Sequence, residues 1–309
     1  MTTRASRAAV FWSFAAIYVL WGSTYLAIRV VVTVFPPFLA SGSRFLLAGG
    51  LLYAWARWRG APAPDPKLWL SALLFGGLFF LVGNGAVSWA ETRLPSGLAA
   101  LLAATSPLFT AFFESAHDGW RRPALRVLIG IVAGLGGVAL LVAPGEFIGG
   151  SHADLGGAAA ITIGALGWAA GSVRSHHHPI PGSPELTTGM KMLMGGVLLT
   201  LLSLLLGEPG RITAASLAPK VILSWAYLVI FGSLIGFSAF TYLLRVTTPQ
   251  KVTTSAFVNP LVAVALGWLI LGEAVTPRTL VAAAVIIGAV VLIRVKSEKG
   301  QTGRGAEGL

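Results

Sequence analysis

Few side chains of this 309-residue sequence could carry acid–base or metal chemistry within an apolar interior. All eleven Asp and Glu residues and all five His residues fall in connections or at the ends of apolar stretches, and Cys is absent. Metal sites need convergent ligands, and nucleophiles need an adjacent base, so this distribution argues against metalloenzymes and Ser/His hydrolases. The His triplet at 176–178 lacks the spacing of metal ligands. Because no phosphate-binding Gly-x-x-x-x-Gly-Lys-Ser/Thr motif occurs either, we expect no metal and no cofactor.

Three basic residues, in contrast, lie inside apolar stretches: Arg29, Arg44 and Lys191. A cation at the centre of a bilayer costs at least about 2.5–3.5 kcal/mol, so an embedded cation is a candidate functional residue. Each of the three lies roughly 6–9 Å from a span end, however, which a long side chain can bridge to reach the interface. Substrate contact, a structural contact and interfacial placement are therefore alternatives at this point. Arg44 and Lys191 occupy equivalent positions of a repeat, which favours a shared structural or gating role.

Polar and aromatic side chains in the middle of apolar stretches could bind a small molecule. Two matching Ser/Asn-Pro steps occur, and each proline removes a backbone hydrogen bond and frees a carbonyl group, as a cavity wall tolerates. A simple packing kink is the alternative. Trp21 and Trp168 lie too far from span ends to belong to an interfacial aromatic belt. The predicted substrate-binding residues are Trp21, Asn84, Trp89, Ser106, Trp168, Tyr242 and Asn259, and the predicted structural or gating residues include Arg44, Pro107, Lys191 and Pro260.

The sequence around these residues is too apolar for a soluble domain. It is 55% apolar and 11% charged, with a mean hydropathy of +0.80, whereas soluble domains carry about 25% charged residues. Ten stretches approach the roughly 20 apolar residues that a bilayer-spanning helix needs, and the short alternating segments of a transmembrane barrel are not seen. We predict an all-α integral membrane protein with ten transmembrane helices, at about 10–33, 38–56, 68–90, 97–114, 124–143, 155–173, 186–206, 221–243, 253–271 and 279–295.

The net charge of +11 could indicate a nucleic-acid partner, but its distribution indicates membrane topology instead. If the N-terminus is cytoplasmic, the inner connections and tails hold fifteen Lys and Arg residues and the outer connections hold four. This positive-inside bias places both termini in the cytoplasm, residues 145–154 outside and residues 176–178 inside. The first apolar run is longer than the core of a signal peptide, so it is interpreted as the first span. We predict a multi-pass protein of the bacterial inner membrane with no nucleic-acid partner.

The second half of the sequence repeats the first half. Equivalent residues are offset by 147 and later by 153; the pairs are Trp21 and Trp168, Gly42 and Gly189, Arg44 and Lys191, Gly49 and Gly196, Gly83 and Gly236, Trp89 and Tyr242, Pro107 and Pro260. Five spans per repeat make the two copies inverted relative to each other. Inverted repeats are how many secondary transporters hold one site near the membrane midplane. We expect one repeat over 1–148, a second over 149–296, and a disordered cytoplasmic tail over 297–309.

Several segments, taken in order, resemble the EamA-type transporters of the drug/metabolite transporter superfamily. The quoted matches are Leu20-Trp21-Gly22-Ser23-Thr24-Tyr25, Arg44-Phe45-Leu46, Val82-Gly83-Asn84-Gly85, Leu94-Pro95-Ser96-Gly97, Pro107-Leu108-Phe109-Thr110 and Val258-Asn259-Pro260-Leu261. The resemblance implies two inverted five-helix repeats around a central cavity walled by spans one, three, four, six, eight and nine. It also implies export of a small metabolite such as an amino acid. The family's Gly-Glu step is kept as Gly272-Glu273, which adds Glu273 to the structural or gating residues, whereas the first repeat reads Gly119-Trp120.

Two classes of function compete on these grounds. A secondary exporter with a small-molecule substrate and membrane lipid as its surroundings fits the inverted repeat, and a monomer is possible. A polytopic membrane enzyme acting on a lipid-linked substrate is the alternative, disfavoured by the lack of deeply placed His, Asp and Glu residues. A receptor or scaffold is disfavoured because no soluble partner-binding domain is evident.

Overall fold

A computed structural model describes residues 6–117, 125–142, 154–247, 249–252 and 255–294. Within these residues every regular element is helical. The long helices are α1 (Arg7–Val32), α2 (Pro37–Trp58), α3 (Pro66–Ala90), α4 (Ser96–His117), α5 (Leu125–Val142), α6 (Leu155–His177), α7 (Pro184–Leu205), α8 (Pro219–Val246), α9 (Ser255–Leu271) and α10 (Pro277–Arg294). Two short 3₁₀ turns, Glu208–Arg211 and Ala214–Leu217, precede α8, and a single helical turn, Pro249–Val252, precedes α9.

The helix bounds follow the predicted apolar stretches to within a few residues, so the all-helical prediction is confirmed. Of the described helices, six (α1, α3, α4, α6, α7 and α8) are long and apolar enough to cross a membrane, and α9 and α10 contain shorter apolar stretches. That each helix spans the bilayer as part of an inverted repeat stays a prediction. The Gly119-Trp120 step, nearly all of the 145–154 connection and the tail lie outside the described residues.

Helix starts are set by proline and by capping side chains. α2, α3, α7 and α8 begin with proline in their first turn, where the missing N–H would have no intrahelical partner. The Asp65 carboxylate accepts a hydrogen bond from the Lys67 amide at 2.8 Å, and the Ser183 hydroxyl accepts one from the Leu186 amide at 3.2 Å. These caps satisfy amides that would otherwise be unpaired at each helix end.

Both α3 and α8 contain an eight-residue π-helical segment, at Gly77–Asn84 and Leu228–Ile235. The two segments lie at nearly the same place in each half of the sequence, although hydropathy alone predicts plain α-helix there. π-Helical turns are wider than α-helical turns and occur often at functional sites. Their matching positions are a structural counterpart of the sequence repeat.

The two prolines at equivalent positions do not produce the same local structure. α4 is interrupted at Ala104 and Thr105, so that Pro107 lies in the first turn of its second part, Ser106–His117. A proline needs no amide partner at such a position. Pro260, in contrast, lies inside the continuous helix α9. The pair of equivalent mid-helix kinks that the sequence suggests is therefore replaced by a break in α4 and an uninterrupted α9.

Helices α2 and α7 pack closely through glycines at reciprocal positions. A Cβ atom on Gly49 would lie 2.7 Å from the Leu193 amide nitrogen, and one on Gly196 would lie 2.7 Å from the Leu46 amide nitrogen. Gly49 is the repeat equivalent of Gly196, and Leu46 is the equivalent of Leu193. Each contact is therefore the two-fold image of the other.

The same reciprocity holds at the other two glycines of this interface. A Cβ atom on Gly42 would lie 3.0 Å from the Thr200 amide nitrogen, and one on Gly189 would lie 2.7 Å from the Tyr53 amide nitrogen. Gly42 and Gly189 are repeat equivalents, as are Tyr53 and Thr200. Small residues allow this close approach of helix backbones, which drives association in membranes. A local pseudo-two-fold axis therefore relates α2 to α7.

We expect Gly49→Ala to lower the free energy of unfolding by about 1–3 kcal/mol, because the added methyl group must separate two tightly packed backbones. Gly50→Ala is the matched control, since a Cβ atom there has no neighbour within 4 Å. In an exposed helix interior, the glycine-to-alanine change itself stabilises by roughly 0.5–1 kcal/mol. Thermal unfolding of the purified variants in detergent measures the effect of each change on stability. Equal effects of the two changes would contradict the close packing of α2 on α7.

Candidate functional site

A cavity of about 120 Å³ lies between the two halves of the chain. Its wall comes from α1, α3, α4, α6, α8 and α9, with Arg44 of α2 and Val252 of the turn before α9. One water needs roughly 10–15 Å³ on this scale, so the cavity has room for a small organic molecule. The predicted residues that line it are Trp21, Asn84, Ser106, Trp168 and Asn259 of the substrate-binding set, and Arg44 and Pro260 of the structural set.

Two predicted substrate-binding residues lie outside this wall. Trp89 is half-buried near the carboxyl end of α3, with the Arg93 guanidinium 4.3 Å from its ring centroid. Tyr242 is half-buried on α8, two residues after Phe240, which does line the cavity. Trp89 and Tyr242 are repeat equivalents, so the two halves of the chain place them consistently.

Aromatic side chains form one side of the cavity. The rings of Trp21 and Trp168 meet edge to face, with centroids 5.4 Å apart and planes at 86°. Phe237 and Phe240 lie 5.1 and 5.2 Å from the Trp21 ring, and Phe79 lies 5.1 Å from the Trp168 ring. Such pairs add about 0.5–1.5 kcal/mol each beyond their buried area. The two equivalent tryptophans therefore form the centre of a rigid apolar wall.

The two cavity-lining asparagines have structural hydrogen bonds of their own. Asn84 Nδ2 donates to the Phe79 carbonyl at 3.0 Å, inside the π-helical segment of α3. In the amide orientation that satisfies its neighbours, Asn259 donates to the carbonyls of Ile17, Tyr18 and Ser255 at 3.1, 3.0 and 3.2 Å. Asn259 thereby joins α9 to α1. A substitution at Asn259 will affect this helix contact as well as the cavity wall.

Two of the three embedded cations make structural contacts. The Arg29 guanidinium donates to the backbone carbonyl of Glu91, which joins α1 to the end of α3. Lys191 Nζ donates to the Ser175 hydroxyl at 3.0 Å and lies 4.8 Å from the Phe75 ring centroid, which joins α7 to α6 and α3. Neither residue lines the cavity. The structure thus gives both of them helix-to-helix contacts.

Arg44 is different because it lines the cavity. Its side chain is 3% exposed, and its Nε donates to the Ser233 hydroxyl of α8 at 2.7 Å. The indole of Trp21 donates to the carbonyl of the preceding residue, Gly232, at 3.1 Å. Arg44 and Trp21 therefore both bind the π-helical segment of α8 at adjacent residues.

Glu273 caps a helix and lies outside the cavity wall. Its carboxylate accepts hydrogen bonds from the Ser96 amide at 2.8 Å, the Ser96 hydroxyl at 3.0 Å and the Gly97 amide at 3.1 Å. A carboxylate at a helix amino terminus satisfies free amides and complements the helix dipole. The preceding Gly272 has φ of 66°, a left-handed conformation that glycine adopts without strain. Glu273 thereby fixes the connection after α9 to the start of α4.

Two carboxylates are more deeply buried than their places at span ends suggest. Glu91 is 0% exposed, and neither carboxylate oxygen has a hydrogen-bond partner among the described residues. Glu208 is 2% exposed and accepts hydrogen bonds from the amides of Phe38 and Leu39 at the start of α2. In the part of the chain that the structure describes, no group of three His, Cys, Asp or Glu side chains is arranged so that it could hold a metal ion.

Polar and aromatic wall residues outside the predicted sets include Thr24, Tyr25, Phe237 and Phe240. The internal repeat carried a signal for Phe237. Phe237 is the repeat equivalent of Asn84, a predicted wall residue, and Phe240 is the equivalent of Val87, which also lines the cavity. Applying the repeat offset to each candidate would have identified Phe237.

Comparison with known proteins finds similarity over nearly the whole chain. The EamA-like transporter family matches twice, over residues 7–143 and 155–295. The "Uncharacterized inner membrane transporter YedA" of Escherichia coli strain K12 is 40% identical over 285 residues, covering 92% of this chain and 90% of that protein. The "Probable amino-acid metabolite efflux pump" of Salmonella typhimurium strain LT2 is 28% identical over 285 residues, covering 88% and 90%.

A crystal structure of another protein superposes with a TM-score of 0.66 at 22% sequence identity, covering 96% of this chain and 100% of that one, and shows that the fold is shared. The two relatives named above are transporters and not enzymes, which removes the membrane-enzyme alternative. Two family matches together span nearly all of the sequence, and six of the described helices are long and apolar enough to cross a membrane. The chain is therefore a multi-pass membrane protein that belongs to the EamA-like transporter family.

Proposed function

We propose that this protein is a secondary transporter that exports a small metabolite, such as an amino acid, by alternating access of the central cavity. The observation that carries the proposal is the cavity itself, whose wall combines equivalent residues of the two halves: Trp21 with Trp168, and Ser106 with Asn259. Inverted repeats around one shared site can rock relative to each other and expose that site to either side in turn.

Three observations support two inverted five-helix repeats, one over residues 1–148 and the other over 149–296. The glycine contacts between α2 and α7 are reciprocal, as a pseudo-two-fold axis requires. The π-helical segments of α3 and α8 have the same length and nearly equivalent positions. The family matches once in each half. An odd number of spans per repeat then inverts the second copy.

The character of the wall and the named relatives support an amino-acid-type substrate. Indole and phenyl rings offer an apolar surface, and a few hydrogen-bonding groups, among them Asn84, Ser106 and Asn259, interrupt it. Small-molecule sites are commonly apolar pockets with a few placed polar groups. One relative is named as an amino-acid metabolite efflux pump. The described wall residues all come from one chain, which is consistent with a monomer in membrane lipid.

We expect Trp21→Ala and Asn259→Leu to lower transport by roughly tenfold or more, since the loss of about 1.4 kcal/mol of binding free energy has that effect. Trp12→Ala is the matched control, because Trp12 lies on the same helix and is 68% exposed. Purified protein in liposomes, tested with labelled amino acids and other metabolites, measures transport. Normal transport by both cavity variants, at normal expression, would mean that the substrate site lies elsewhere.

We expect both termini to be cytoplasmic in the bacterial inner membrane. The reason is the excess of Lys and Arg in the connections and tails on one side, fifteen against four. Fusion of a cytoplasm-active reporter and of a periplasm-active reporter after Leu309 tests this orientation. Activity of the periplasmic reporter at that position would overturn it.

We expect transport to be driven by the substrate gradient or by exchange, without a dedicated proton relay. No carboxylate or histidine occurs among the described residues that line the cavity, and proton relays in membranes use such groups. Counterflow in proteoliposomes should persist after an ionophore collapses the proton gradient. Uphill accumulation that follows an imposed pH gradient, and that disappears in a Glu91→Gln variant, would instead assign coupling to the buried Glu91 carboxyl.

A further inference from the structure

The repeat symmetry of the cavity is broken at its embedded cations. Arg44 and Lys191 are repeat equivalents, yet Arg44 lines the cavity and Lys191 does not. Lys191 instead donates to the Ser175 hydroxyl. The cavity wall therefore contains Arg44 but not its repeat equivalent, Lys191. The residues that surround each cation also differ.

The residues of α8 that contact Arg44 differ in size from their repeat equivalents in α3. Arg44 meets Gly232 and Ser233 of α8, where a Cβ atom on Gly232 would lie 2.8 Å from the guanidinium Nη2. The equivalent residues of α3 are Phe79 and Phe80, which are 3% and 1% exposed. Gly232 thus lies directly against the guanidinium, whereas the equivalent positions in the other half hold two buried phenyl rings.

Arg44 has no anionic partner within the described residues. Its Nε is bound to the neutral Ser233 hydroxyl. The buried carboxylates have other neighbours: Glu208 caps α2, and Glu91 lies beside Arg29. A guanidinium carries five N–H donors in a planar fork that matches a carboxylate, and an embedded cation is expected to have an opposite charge nearby.

We propose that Arg44 binds the carboxylate group of the transported molecule, with the Ser233 hydroxyl holding the guanidinium in place and the Trp21 and Trp168 rings contacting the remainder. The substrate class is then a small α-amino or other monocarboxylic acid. This assignment rests on the proposed transport function. It gives Arg44 a role in substrate binding, whereas Lys191 keeps a structural role.

The test compares carboxylic acids with their primary amides, which keep the shape of the molecule and lack the negative charge. Full-length protein in liposomes is screened with the twenty proteinogenic amino acids, small monocarboxylates, neutral sugars and amines. The best-transported acid is then compared with its own amide. We expect the wild-type protein to prefer the acid by at least roughly tenfold, which is the effect of losing one charge-assisted hydrogen bond.

Three variants locate the origin of this preference. Arg44→Gln should make acid and amide equal, and Arg44→Lys should restore part of the preference. Gly232→Ala retains the charge but displaces the guanidinium, and should also reduce the preference. The matched control is Lys191→Gln, which removes the equivalent cation outside the cavity and should keep the wild-type preference. Size-exclusion chromatography and thermal unfolding identify the folded variants. If Arg44→Gln does not fold, the acid-to-amide preference of Gly232→Ala tests the carboxylate site instead.

These outcomes distinguish failure of the carboxylate site alone from failure of the proposed transport function. If the wild-type protein transports only compounds that lack a carboxylate group, or transports amides as well as acids, the carboxylate site is overturned and the transport function stands. An unchanged preference in a folded Arg44→Gln or Gly232→Ala variant also overturns it. If the wild-type protein transports no compound of the screen, the proposed function fails together with the carboxylate site.

Discussion

The close contact between α2 and α7 is the constraint on which the remaining architecture depends. In a bilayer, apolar side chains gain little by leaving lipid for one another, so helices associate through tight packing of small residues. Gly42, Gly49, Gly189 and Gly196 bring the two backbones together at reciprocal positions. This reciprocal contact defines a local two-fold axis between α2 and α7. The edge-to-face contact between the two equivalent tryptophans is a second contact between the two halves.

The two halves share π-helical segments at nearly equivalent positions, but the hydrogen bonds of these segments differ. In α8, the Gly232 carbonyl accepts from the indole N–H of Trp21. In α3, the equivalent Phe79 carbonyl accepts from the Asn84 amide instead. The indole N–H of Trp168 is left without a hydrogen-bond partner in the described chain, and Trp168 lines the cavity. Backbone groups in lipid must be satisfied internally, so the choice of donor decides which side chains stay available for a ligand.

Hydropathy and the internal repeat predict the helices well, because each span needs about 20 apolar residues whatever its neighbours are. They do not predict the π-helical segments, which depend on tertiary contacts. Trp89 and Tyr242, which lie outside the cavity wall, both follow a π-helical segment, in α3 and α8. An extra residue in a helical turn rotates the following side chains by roughly 100°, so a face extrapolated from before the segment points elsewhere. The burial of Glu91 was missed for a related reason, because position at a span end does not report what packs over it.

Depth in the membrane does not by itself decide what an embedded cation does. Arg29, Arg44 and Lys191 all lie within a few residues of a span end, yet the first contacts a backbone carbonyl and the last contacts a hydroxyl away from the cavity. The residues at equivalent positions also differ, since Arg44 contacts Gly232 and the equivalent residue of the other half is Phe79. The charge itself is kept at the equivalent position of both halves, yet Arg44 lines the cavity and Lys191 does not.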